Sequence, residues 1–114
     1  MSLPSLRLAK LCRDLALDKK ATDSVILDLR EVSSLADYFV IASAQSEPQL
    51  KAIAGHLEKT LKDEHGVRPS AVDGYPASQW VVVDYGDVMV HLFHENKRAL
   101  YALEDLWGDA PAVV

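Results

Sequence analysis

The chain has 114 residues, a hydrophobic fraction of 49% and a formal net charge of −5. This length is that of one domain with a full hydrophobic core, so we treat 1–114 as a single domain. The negative charge argues against binding to a phosphate backbone, which needs clustered Lys and Arg, and it favours attraction to basic partners.

Cysteine content and hydropathy restrict the compartment. The single cysteine, Cys12, excludes an internal disulfide and suits a reducing environment. No apolar run approaches the ~20 residues that a membrane span needs. We therefore expect a cytoplasmic protein with no membrane contact.

The first part of the chain predicts one helix and two strands. Apolar residues recur at helical spacing from Leu8 to Ala16, so an amphipathic helix should end near Lys19 and Lys20. The runs SVILDL (24–29) and DYFVIAS (37–43) are short and almost continuously apolar. That pattern is typical of strands covered on both faces.

A second helix is indicated by SEPQLKAIAGHLEKTLKDEHG, residues 46–66. Ser46 suits the N-cap, and Gln49 three residues later completes a capping box. Gly66 suits the C-terminal stop. One stripe of apolar residues should face the core: Leu50, Ile53, Ala54, Leu57 and Leu61.

The remainder predicts a loop, a hairpin and a helix. A short edge strand should form near Ala71 and Val72, and WVVVDYGDVMVHLFHE (80–95) should be a hairpin closed by Gly86-Asp87. Residues 96–107 predict a last helix, and the tail from about residue 108 should be loose. This order of elements predicts an α/β (α+β) fold with a mixed sheet of about five strands flanked by helices.

The hairpin raises a question, because it places a carboxylate and an imidazole within two apolar strands. A two-residue loop pairs Asp84 with Met89 and Val82 with His91, so Asp84 and His91 become diagonal neighbours roughly 7 Å apart. Their face of the hairpin carries Trp80, Val82, Asp84, Met89, His91 and Phe93, and the other face carries Val81, Val83, Tyr85, Val88, Val90 and Leu92. Either a helix covers the first face, or it is an exposed aromatic patch with a polar centre, as in a binding hot spot.

Catalytic and metal-binding patterns are weak in this sequence. Two carboxylates that hold Mg²⁺ on a strand must be at i and i+2, whereas Asp84 and Asp87 are at i and i+3 across a turn. His91 and His94, at i and i+3 on an extended segment, point apart. We therefore predict no catalytic residues, no metal and no cofactor.

Two long strings resemble the ribosomal silencing factor family, RsfS, also called the Iojap family. They are DLREVSSLADYFVIASAQS (28–46) and DGYPASQWVVVDYGDVMVHLFHENKRALYALEDLW (73–107), with the spacing between them. The resemblance implies a nucleotidyltransferase-like fold without the catalytic residues. It also implies a translational repressor that binds protein number fourteen of the large ribosomal subunit and sterically blocks joining of the small subunit.

The expected partner-binding residues come from two sources. The hairpin face supplies Trp80 and Phe93 as apolar anchors and Asp84 and His91 as the polar centre. The pattern of the family that the chain resembles adds three more: Tyr85, Arg98 and Tyr101. A negatively charged domain should make little direct contact with RNA.

Two alternatives remain open at this point. One is a nucleotidyltransferase-like, Mg²⁺-dependent enzyme that uses Asp28, Asp37 or Asp84. The other is a homodimeric interaction module whose exposed face is its own interface.

Overall fold

The computed structural model describes residues 3–74, 79–97 and 110–113. The helices are α1 (Ser5–Asp18) and α2 (Glu47–His65), and the strands are β1 (Thr22–Asp28), β2 (Tyr38–Ala44), β3 (Ala71–Asp73), β4 (Trp80–Asp84) and β5 (Val88–His94). These elements follow the predicted order. Residues 95–97 are helical, and the rest of the predicted last helix, 98–107, lies outside the described residues.

The five strands form one mixed sheet in the order β1-β2-β5-β4-β3. Strands β2 and β5 are parallel, and the other pairs are antiparallel. All seven residues of β2 are buried, which explains its continuous apolar sequence. The predicted α+β fold with a mixed five-stranded sheet is confirmed.

Both helices cover the same face of the sheet. One large core lies there, and each of α1, α2, β1, β2, β4 and β5 contributes buried side chains to it. Its members include Cys12, Ile26, Val40, Leu57 and Val90. A smaller cluster lies on the opposite face: Leu27, Leu29, Ala36, Phe39, Ile41 and Phe93. In the part of the chain that is described, no helix has the length and apolar character to cross a bilayer.

The start of α2 is held by its predicted cap and by an additional tie. The Ser46 hydroxyl accepts from the Gln49 amide at 3.1 Å, as predicted. The Gln49 side chain does not return to the N-cap amide: its Oε1 accepts from Gln45 N at 2.7 Å. Its Nε2 donates to the carbonyl oxygens of Lys19 and Lys20, so this side chain joins α2 to the end of α1.

The predicted loose tail is wrong for residues 110–113. An antiparallel bridge joins Leu27 of β1 to Ala112. The amides of Asp28 and Val113 donate across this pair at 2.9 and 2.8 Å. Residues 111–113 pair there because they satisfy backbone groups on the outer edge of β1.

Candidate functional site

The hairpin of β4 and β5 has the predicted register. Trp80 lies opposite Phe93, Val82 opposite His91, and Asp84 opposite Met89. The loop has two residues, because the amide of residue 85 donates to the carbonyl of residue 88 at 2.9 Å. The first loop residue is a glycine with φ of 87°, which suits a tight hairpin turn.

One face of the hairpin belongs to the large core beneath the helices. Its valines and leucine are at most 1% exposed: Val81, Val83, Val88, Val90 and Leu92. Tyr85 packs against the same core, and its hydroxyl is buried with no hydrogen-bond partner among the described residues. Burial raises the pKa of Tyr85 above its usual range. Tyr85 therefore lies on the opposite side of the sheet from Trp80, and the two do not form one surface.

The other face carries a half-buried strip, formed by Trp80, Val82 and Asp84 of β4 with Met89 of β5. Trp80 and Met89 pack against the smaller apolar cluster. No residue of α1 or α2 belongs to that cluster, so the strip is the candidate site for a partner.

The structure corrects two of the predicted contact residues. Phe93 is 0% exposed and His91 is 5% exposed, so the prediction that they form an exposed patch is wrong. Phe93 lies beneath Trp80, with ring centroids 5.0 Å apart and nearly parallel planes. Both residues lie beneath the strip: Phe93 belongs to the smaller apolar cluster, and the ring of His91 contacts the rings of Phe39 and Phe93.

His91 is enclosed by aromatic rings. Its ring centroid lies 4.5 Å from that of Phe39, and its Nδ1 accepts from Trp80 Nε1–H at 3.3 Å. Burial lowers the pKa of His91 from 6.5 to about 4, although the charge of Asp84 acts in the opposite direction. The imidazole is therefore neutral at neutral pH, and its Nε2 has no hydrogen-bond partner among the described residues.

Asp84 has a local structural role as well as a place on the strip. Its Oδ1 accepts from the amide of Gly86 at 2.7 Å and so supports the hairpin turn. Trp80 and Asp84 stand at the two ends of β4, about 13 Å apart along the strand. The strip thus has an aromatic end and an acidic end, and it differs from the predicted aromatic patch with a polar centre.

An acidic rim extends the strip along the outer strand. Strand β3 pairs Asp73 with Val82 and Ala71 with Asp84, so Asp73 is on the same face as the strip. Asp73 and the turn residue Asp87 are exposed. The sequence analysis missed Asp73 because its face depends on the register between β3 and β4, which no short-range pattern reveals. Val82 and Met89 were on the predicted face but were left out of the candidate set.

The arrangement of carboxylates does not suit metal catalysis. Asp28 pairs with Tyr38 in the sheet and so lies on the helix-covered face, opposite Asp84. Its two oxygens accept from the Arg30 guanidinium at 2.9 and 2.7 Å, and this pairing lowers the pKa of Asp28. Across the described ranges, no three His, Cys, Asp or Glu side chains are grouped as metal ligands would be.

Arg98 and Tyr101 lie outside the described residues, so their place relative to the strip stays a prediction. Cys12 is fully buried in the large core, and burial raises its pKa to about 12. A thiol in that state has no nucleophilic role at neutral pH.

Comparison with known proteins decides the family. Residues 2–114 match the RsfS family, described as "Ribosomal silencing factor during starvation". The chain belongs to the RsfS family. The Ribosomal silencing factor RsfS of Halalkalibacterium halodurans is 47% identical over 96 residues, which are 84% of this chain and 81% of that protein. The RsfS of Bacillus subtilis is 46% identical over 94 residues, or 82% and 79% of the two chains.

A solved structure agrees with the fold described above. The crystal structure of a Chromobacterium violaceum protein has a TM-score of 0.88 and 34% identity, covering 93% of this chain and 88% of that one. The predicted resemblance to the RsfS family is therefore confirmed. The family's name describes a regulatory factor of the ribosome rather than an enzyme.

Proposed function

We propose that this chain represses translation by binding the large ribosomal subunit through its protein number fourteen and blocking joining of the small subunit. The family supplies the ribosome as target. The choice of subunit, the ribosomal protein and the steric mechanism are part of the proposal. We place this activity in the cytoplasm.

The half-buried strip is the observation that carries the proposal. Helices cover one face of the sheet, while the other face presents Trp80, Val82 and Met89 at its surface. Tryptophan and methionine are enriched in the cores of protein interfaces, and charged residues are common at the rim. The strip, with an aromatic anchor and an acidic border, has this composition.

Charge favours a basic protein over RNA as the direct contact. The whole chain carries a net charge of −5, and Asp73, Asp84 and Asp87 lie on or beside the strip. RNA phosphates would be repelled by this border, whereas Lys and Arg side chains of a ribosomal protein would be attracted. We therefore propose little direct contact with RNA.

The enzymatic alternative is less well supported. Two of the carboxylates that it would use, Asp28 and Asp84, are separated, because they lie on opposite faces of the sheet. The negative charge of Asp28 is also paired with the guanidinium of Arg30. The homodimeric alternative uses the same strip, so it is tested by the same variants.

Sedimentation with separated ribosomal subunits tests the proposal. Wild type would be compared with Trp80→Ala, which removes the aromatic anchor, and with Asp84→Asn. The asparagine removes the charge but keeps an oxygen that accepts from Gly86. Leu17→Ala is the matched control, because Leu17 is 45% exposed on α1, on the other side of the sheet.

We expect wild type and Leu17→Ala to co-migrate with the large subunit alone. Truncation of a central anchor typically costs about 2 kcal/mol or more, so Trp80→Ala should weaken binding at least about 30-fold. Circular dichroism would verify that each variant folds. Absence of wild-type binding would overturn the proposal, and equal binding by all variants would place the contact on another surface. Light scattering of the free protein would reveal a homodimer.

A further inference from the structure

We propose that His91, although buried, is a positioning residue that fixes the orientation in which Trp80 meets the partner. The inference rests on the proposed function of the strip. It replaces the direct partner contact that the sequence predicts for His91, because a side chain with 5% exposure is too deeply buried for that contact.

Two contacts of the Trp80 indole restrain different features of its orientation. Stacking on Phe93, with centroids 5.0 Å apart and planes 23° apart, fixes the plane of the ring. The hydrogen bond from Trp80 Nε1–H to His91 Nδ1, at 3.3 Å, fixes which edge of the ring points inward. A tryptophan has only two side-chain torsions, so these two restraints suffice to select one orientation.

A purely structural requirement would not select histidine at this position. The site is almost completely buried and bordered by Phe39 and Phe93, an environment that phenylalanine or leucine would fill. Histidine instead leaves its Nε2 without a hydrogen-bond partner among the described residues, which costs free energy. What histidine adds is the Nδ1 acceptor for Trp80: burial keeps the ring neutral, and the hydrogen bond donated by Trp80 selects the tautomer with the proton on Nε2.

This arrangement also indicates the chemistry of the partner. The indole N–H is directed at His91, so the partner meets a ring surface rather than a hydrogen-bond donor. The negative face of an indole attracts a Lys or Arg side chain. The acidic residues Asp73 and Asp84 flank the strip and favour the same cation. The matching surface is therefore a basic side chain with an aliphatic stem, held on a protein.

Three substitutions separate positioning from simple packing. His91→Phe keeps a ring and removes the acceptor. His91→Asn keeps an oxygen or nitrogen near the place of Nδ1, and His91→Gln moves that group toward the place of Nε2. The readouts are the Trp80 indole N–H signal in ¹⁵N NMR, assigned by its loss in Trp80→Phe, its solvent exchange rate, and binding to purified large ribosomal subunits.

We expect His91→Phe to shift the indole signal, to speed its exchange at least about tenfold, and to weaken binding about tenfold, which corresponds to one lost hydrogen bond. His91→Asn should restore both properties more fully than His91→Gln. If His91→Phe does not fold, the comparison of Asn with Gln answers the question alone.

The failure of this inference is distinct from that of the proposed function. An unchanged indole signal and exchange rate in His91→Phe would overturn the positioning role, and so would a changed indole with unchanged ribosome binding. In both cases wild-type binding persists, and the proposed function stands. If the wild-type protein does not bind ribosomes, the proposed function is overturned and, with it, the role of Trp80 as the docking residue.

Discussion

Among single residues, Asp84 and His91 within the hairpin strands have different explanations. Asp84 is a turn residue whose carboxylate accepts from the Gly86 amide, and it remains half-buried at the acidic end of the strip. His91 is a core residue whose neutral imidazole accepts from Trp80. Asp84 and His91 are neighbours on one face of the hairpin, but they therefore do not act as a pair.

Acidification should destabilise the fold through His91. Burial lowers its pKa from 6.5 to about 4, so between these values the unfolded chain binds a proton that the folded chain does not. The contribution of His91 to the free energy of unfolding is therefore greatest above pH 6.5 and falls as the pH drops toward 4, by about 3 kcal/mol in total.

Urea unfolding at about pH 7 and about pH 4.5 measures this effect. His91→Asn is the control, because it removes the titrating group while leaving Asp28, whose lowered pKa acts only at lower pH. The pH-dependence should be clearly shallower in the variant. Parallel curves for the two proteins would contradict a buried neutral His91.

At the scale of elements, α2 shows how local residues define a helix. The helix begins after Ser46, whose side chain caps the Gln49 amide, and ends at Gly66 in the left-handed conformation. Between them, Gly55 lies on the exposed surface of the helix. The two glycines have opposite effects on stability, because only Gly66 adopts a backbone conformation that favours a residue without Cβ.

Alanine substitutions at these glycines should change stability in opposite directions. At Gly55 a Cβ would meet nothing within 4 Å, and alanine should stabilise the fold by about 1 kcal/mol through its helix propensity. At Gly66, with φ of 66°, alanine should destabilise it by about 1 kcal/mol because a Cβ disfavours the left-handed region. Chemical denaturation of both variants gives the comparison, and changes of the same sign would disprove it.

At the scale of the whole molecule, the sheet separates two environments. The helices and the large core lie on one side, and the strip with its acidic border lies on the other. Because the net charge is also −5, association with a basic protein should be electrostatically steered.

Steering predicts a salt-dependent association rate with the proposed partner, isolated ribosomal protein number fourteen. The rate should fall about tenfold between ~50 mM and ~500 mM salt, while dissociation changes less. Asp84→Asn should flatten this dependence, and Asp63→Asn, on the distant α2, should have a smaller effect. Stopped-flow fluorescence would measure both rates, and a salt-independent association rate would indicate that apolar contacts alone drive encounter.

The described elements, the hairpin register and the family could all be predicted from the sequence. The hairpin register follows from a two-residue turn and a period of two, and the bounds of α2 follow from Ser46 and Gly66. These signals lie within a few residues of the structure that they define. The family resemblance was readable for a different reason, since it is carried by long strings of residues in order.

Which of the predicted residues remain at the surface depends on packing between elements that are distant in the chain. Alternation put Phe93 and His91 on the face of Trp80, but Phe93 is buried among residues of β1 and β2 with Leu29 and Ala36, and His91 is covered by Phe39 of β2, all distant in the chain. The place of Asp73 and the order of residues 110–113 likewise depend on pairing with other strands. Exposure is a property of what packs on a face, and no local pattern encodes it.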